Sequence, residues 1–302
     1  MTLSTFSIVA FDPDNGDLGV AVQSKFLAVG SVVPWAAAGV GAIATQAHAN
    51  ISFGPIGLGM LEEDLGAIET IEQLLEEDDN RLVRQLGVVD ADGTAAAYTG
   101  TACLDWAGHL TGAGYACQGN LLTGEAVVQA MADTFEAMDA PLAQRLLAAL
   151  AAGQDAGGDR RGQQSAALLV VREGGGYGGT CDRLVDLRVD DHNQPIVELQ
   201  RLFQLHQLYF GATDPATLLK IDGRLAGEVQ QMLNTLGFYK GELTGVYDEA
   251  TCTALERWHG VENFEARFWR DHGIDPEALA FLREKSRWKF AESASESSGS
   301  PP

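Results

Sequence analysis

The stretch Thr5-Phe6-Ser7-Ile8-Val9-Ala10-Phe11-Asp12-Pro13-Asp14-Asn15-Gly16 constrains the fold more than any other part of this chain. It reads as a strand that begins on a hydroxyl residue almost at the amino terminus and runs into a turn of Asp, Pro, Asn and Gly. The return, Asp17-Leu18-Gly19-Val20-Ala21-Val22-Gln23-Ser24-Lys25, ends in hydroxyl, amide and ammonium groups. An antiparallel hairpin sets the end of its second strand beside the start of its first, so Ser24 and Lys25 are expected near Thr5 and Ser7. A hydroxyl, a cation and a nearby chain terminus are the ingredients of an amino-terminal nucleophile, in which the residue's own amine acts as base. An ordinary hairpin with polar ends is the plainer alternative.

Two further hairpins are expected, over residues 86–100 with an Asp-Gly turn and over residues 165–189 around a glycine-rich loop. Residues 31–35 and 40–46 form another strand-like pair. Between them, residues 55–65, 68–75, 125–138, 141–153 and 195–210 carry apolar residues at helical spacing. Strand pairs joined by connections too short for crossovers exclude a parallel doubly wound sheet. The pattern instead predicts an α+β fold of two sheets faced by helix layers. A domain boundary is expected near residues 211–215. Helices over 223–236 and 249–258 follow, the latter capped by Asp248, and residues 291–302 lack the apolar content to order.

Composition narrows the partners. With 302 residues, 46% of them hydrophobic, the chain has material for one large domain and one small one. No apolar run approaches the ~18 residues of a membrane span, and the amino terminus lacks the layout of an export signal, so the chain reads as cytoplasmic. A formal net charge of −22 argues against nucleic acid or an anionic membrane as partner. Cys103, Cys117, Cys181 and Cys252 lack the spacing of a zinc or redox site, so reduced thiols, no metal and no cofactor are expected. The helix at 195–210 holds more large apolar residues than one face needs, which points to a homo-oligomer.

The stretches TFSIVAFDPDNGDLGVAVQSKFLAVGSVVPWA, GVGAIATQAHAN, QLGVVDADGTAAAYTG, GYACQGNLL, GDRRGQQSAALLVVREGGGYGG and LVDLRVDDH occur in this order within residues 5–211. On them the chain resembles the DUF1028 proteins, which are grouped with the Ntn-hydrolase superfamily. That resemblance implies an αββα four-layer sandwich over residues 1–211. Residues 223–260, with the hallmark LGFYKGELTGVYDEAT, resemble a degenerate peptidoglycan-binding repeat. This implies a small all-α domain over 212–290, with peptidoglycan as an alternative partner that the missing export signal disfavours. Family members begin Met-Thr-Phe-Ser, whereas Met-Thr-Leu-Ser precedes Thr5 here. Methionine removal would expose Thr2, which three residues of strand, about 10 Å at roughly 3.3 Å each, keep from the place of Thr5. Either the Ser4–Thr5 bond is cleaved or Thr5 stays an amide.

Read for chemistry, Thr5 is the candidate nucleophile and Ser7, two residues on along the same face, its substitute. Lys25 is the electrostatic partner of the amine and Asn120, beside Gly119, the oxyanion holder. Ser24, Gln46, His48 and Asn50 are substrate-binding candidates, the last three sharing one parity. Arg160, with Asp159 and Arg161, is a candidate for binding a substrate carboxylate. Residues 174–179 lead to no P-loop lysine and read as a hairpin loop. Residues 190–192 read as a solvated strand end. The expected activity is hydrolysis of a small amide or peptide-derived substrate; a non-catalytic ligand-binding or assembly protein is the rival.

Overall fold

A computed structural model describes residues 5–271 and 273–297 and divides the chain into two compact units, Met1–Gln204 and Leu205–Pro302. The division falls inside a helix, ahead of residues 211–215.

The first unit is built on two antiparallel sheets. β1 (Thr5–Asp12), β2 (Asp17–Ser24), β7 (Gly108–Gly112), β8 (Tyr115–Asn120), β9 (Ser165–Val171) and β10 (Arg183–Val189) form a six-stranded sheet in the order β10-β9-β2-β1-β8-β7. β3 (Pro34–Ala37), β4 (Gly41–Ala47), β5 (Arg84–Asp90) and β6 (Ala95–Thr99) form the second, in chain order. Helices α3 (Ala126–Ala137) and α4 (Leu142–Asp155) cover the outer face of the six-stranded sheet, and α1 (Phe53–Glu62) and α2 (Ala67–Glu76) cover that of the four-stranded one. The result is a helix–sheet–sheet–helix sandwich.

Strand parity sets the layers. On β1, Phe6, Ile8 and Ala10 enter the core under α3 and α4, while Val9 joins Val20, Ala42, Ala44, Val89 and Ala116 between the sheets. Ile43, Leu86 and Val88 face α1 and α2. The β1–β2 turn is held by side chains. Asp12 accepts from Asp14 N and Asn15 Nδ2, Asn15 Oδ1 accepts from Asp17 N, and Gly16 takes φ +76°.

The expected hairpins and helices all form, with ends shifted by a few residues. The β7–β8 hairpin was not expected, although β8 lies directly beside β1. Its sequence, Tyr-Ala-Cys-Gln-Gly-Asn, is short and carries polar residues at its inward positions, so it lacks the apolar alternation of a strand.

The second unit contains the end of α5 (Pro195–Phe210) together with α6 (Gly223–Thr235), α7 (Glu249–Glu262) and α8 (Pro276–Ser297) around Leu233, Leu255, Trp258, Phe264 and Leu282. A two-stranded sheet, β11 (Phe268–Trp269) and β12 (Gly273–Ile274), completes it. Asp248 caps α7 as expected, accepting from Thr251 N at 2.9 Å. α8 was not expected and extends into the stretch read as unable to order; residues 298–302 lie outside the described residues. In α5, Ile196, Leu199 and Phe203 belong to the first unit's core and Leu208 to the second's. Part of the apolar surplus of α5 thus serves two cores, while Val197 and Phe210 on the same helix stay exposed.

Candidate active site

Between the sheets the interior divides in two. One half is apolar. In the other half the inward positions of five neighbouring strands are polar: Thr5 and Ser7 on β1, Ser24 on β2, Gln46 on β4, Gln85 on β5, and Gln118 and Asn120 on β8. All seven are fully buried. Register makes the cluster: Thr5 lies between Ser24 and Asn120, and Ser7 is opposite Gln118. Gly87 makes the room, because a Cβ there would meet Gln118 Oε1 at 2.2 Å.

Buried amides and hydroxyls are costly unless paired, about 1–3 kcal/mol each in proteins. Here they pair largely with one another. Thr5 Oγ1 donates to Ser24 Oγ at 3.2 Å, long for two hydroxyls. Ser7 Oγ donates to Gln46 Oε1 and accepts from Gln118 Nε2, both at 2.7 Å. Gln46 Nε2 donates to Gln85 Oε1 at 2.9 Å and reaches the Thr5 carbonyl at 3.4 Å. Asn120 Nδ2 also donates to Gln85 Oε1, at 2.9 Å. Gln85 Nε2 in turn donates to Gly119 O at 2.7 Å and to Thr99 Oγ1 at 2.9 Å. Thr99 shares a hydrogen bond of 2.9 Å with His109 Nδ1, and burial pushes that imidazole below its ordinary pKa.

The structure thus brings Thr5, Ser7, Ser24, Gln46 and Asn120 into one network. It does not bring the other candidates into it. Lys25 is exposed one residue past β2, and its ammonium donates to Gln163 O at 3.2 Å. Its backbone N–H is held by Asp159 Oδ2 at 2.9 Å. The shared parity of Gln46, His48 and Asn50 fails at Ala47, whose φ of +64° ends the strand's alternation. His48 is exposed, its carbonyl accepting from Arg84 Nη1, and Asn50 Oδ1 accepts from Ser52 Oγ at 2.7 Å ahead of α1. Arg160 is exposed and donates to Leu122 O at 3.2 Å. The buried member of that charged loop is Asp159, which also binds the Arg161 guanidinium at 3.1 Å.

Sequence reasoning missed Gln85, Gln118, Thr99 and His109. The signal for the first two was present: counting alternate residues back from Val89 and on from Ala116 puts both on the inward face. A glutamine near a strand end is ordinarily read as solvated, which hid them. Among the described residues no group of three metal-ligating side chains clusters, and no helix is long and apolar enough to cross a membrane.

Comparison with known proteins fits this architecture. Residues 5–199 match the family model described as "Family of unknown function (DUF1028)", and residues 209–282 match "Putative peptidoglycan binding domain". A crystal structure of a Silicibacter pomeroyi protein assigned to DUF1028 superposes with a TM-score of 0.62 at 34% identity, over 68% of this chain and 90% of that one. Anbu, an ancestral beta-subunit from Yersinia bercovieri, gives a TM-score of 0.32 at 12% identity over 66% of this chain and 92% of its own, too distant to bear on function. No curated protein matches the chain.

Proposed function

The chain belongs to family DUF1028, and for its buried hydroxyl–amide site we propose the chemistry of a latent amino-terminal nucleophile acting on small amide or peptide-derived substrates. The observation that carries the reading is the position of Thr5. It opens a central strand, its hydroxyl meets Ser24, and its two neighbouring strands present Ser24 and Asn120 in register. Residues 1–4 precede it, so the site becomes competent only when the Ser4–Thr5 bond is opened.

A freed α-amine titrates near 7.7–8.0, against about 10.4 for lysine, and is partly neutral at pH 7. It takes the Oγ1 proton as the oxygen attacks the substrate carbonyl, and then delivers that proton to the leaving amine. Water, activated by the same amine, releases the acyl group and restores the hydroxyl. The Ser24 hydroxyl orients Oγ1. The Asn120 amide, its plane fixed by Gln85, is the side-chain candidate for the oxyanion, a role typically worth about 3 kcal/mol. Ser7 is the weaker nucleophile, because its hydroxyl is committed on both sides.

One observation favours the rival non-catalytic reading: Thr5 is fully buried, and the amides around it largely satisfy one another. A screen of small amides and N-acyl amino acids against the wild type and Thr5→Ala separates the two. The proposal expects turnover that Thr5→Ala loses by several orders of magnitude. Equal turnover by both proteins overturns it.

A further inference from the structure

We propose that the second unit carries a binding groove for small carboxylates with an apolar body, formed between the Phe-Tyr-Lys-Gly turn after α6 and the first turns of α7. The groove is a shallow depression open to solvent that offers about 440 Å³. Its apolar lining comes from Phe238, Tyr239 and Ala254, the last two almost wholly buried. The Tyr239 ring is fixed in place. Its hydroxyl donates to Glu242 O at 2.9 Å, and it lies so close over Gly241 that a Cβ there would meet Oη at 2.5 Å. That close approach explains the glycine of the motif.

Exposed cations without an ion pair among the described residues occur elsewhere in the unit, at Arg224 and Arg287, but two others flank this groove. Arg267, Arg270, Arg283 and Lys285 are each bridged to a carboxylate. Lys240 and Arg257, which flank the groove, are exposed and have no hydrogen bond or ion pair among the described residues. The one acid of the lining, Glu249, is turned to Arg270 at 2.8 Å. In a chain of net charge −22, two unpaired cations beside an apolar lining, with the one acid of the lining turned to Arg270, give this groove its basic character. A guanidinium takes a carboxylate through two parallel hydrogen bonds and an ammonium adds a point charge, while the apolar body lies over the Phe238 and Tyr239 side.

Titration of the full chain with N-acetyl-leucine, N-acetyl-leucinamide and acetate, at low and high salt, tests this. The acid is expected to bind at least tenfold more tightly than its amide and than acetate, and to weaken as salt is raised. Lys240→Gln and Arg257→Gln are each expected to weaken it by about two- to fivefold. No binding of the acid, equal binding of acid and amide, or acid binding unchanged in the K240Q/R257Q double variant overturns the assignment. The acid-against-amide comparison on the wild type is independent of how the variants fold.

Discussion

Gly87 shows how much a single residue contributes to the polar interior. A methyl group there would displace the Gln118 carboxamide, which is tied to Ser7 at 2.7 Å. Gly87→Ala is therefore expected to destabilise the first unit by about 1–3 kcal/mol, read as a lower urea midpoint with an unchanged slope. In the second unit, His259 is almost wholly buried, donating from Nδ1 to Leu255 O at 2.8 Å, with Nε2 unpartnered among the described residues. Burial lowers its pKa and outweighs the opposing pull of the Leu255 carbonyl, Asp275 and Glu265. The unfolded chain takes up that proton near pH 6.5, before the folded chain does. The stability contributed by neutral His259 is thus fully present above that pH and is lost as pH falls through the lower folded value. Melting of the wild type should fall more steeply than that of His259→Gln between pH 7 and 5; parallel curves would contradict the assignment.

At the scale of elements, side-chain anchors decide where strands and helices stop. Asp90, at the end of β5, accepts from Ala67 N at 3.1 Å, Asp92 N at 3.1 Å and Thr94 N at 2.8 Å, joining the start of α2 to the β5–β6 turn. Asp90→Ala should cost about 1–2 kcal/mol, seen as a lower melting temperature, whereas Asp92→Ala, exposed in the same turn, should change little. The register of β1 on β2 was legible because the Asn15-Gly16 turn and the alternating residues after it agree. β8 was not legible, since what specifies it is its pairing with β1 and β7, distant in sequence. The separation of His48 and Asn50 from Gln46 was hidden for a local reason: no side chain announces the positive φ at Ala47. Thr5 and Ser24 were legible as neighbours, but the glutamines around them become a network only when two sheets are stacked.

For the whole molecule, the layered order of sheets and helices follows from the spacing of hairpins and helices, and it holds in the structure. The α5 helix carries its apolar residues in two directions, with Ile196, Leu199 and Phe203 in one core and Leu208 in the other. The central claim is that this architecture holds a nucleophile whose amine is masked by residues 1–4. Intact-mass measurement of the purified wild type and Thr5→Ala during incubation tests it most directly. The account predicts a wild-type species whose mass begins at Thr5, with Thr5→Ala keeping its amino-terminal segment. A wild type that remains uncleaved between Ser4 and Thr5 throughout would contradict it.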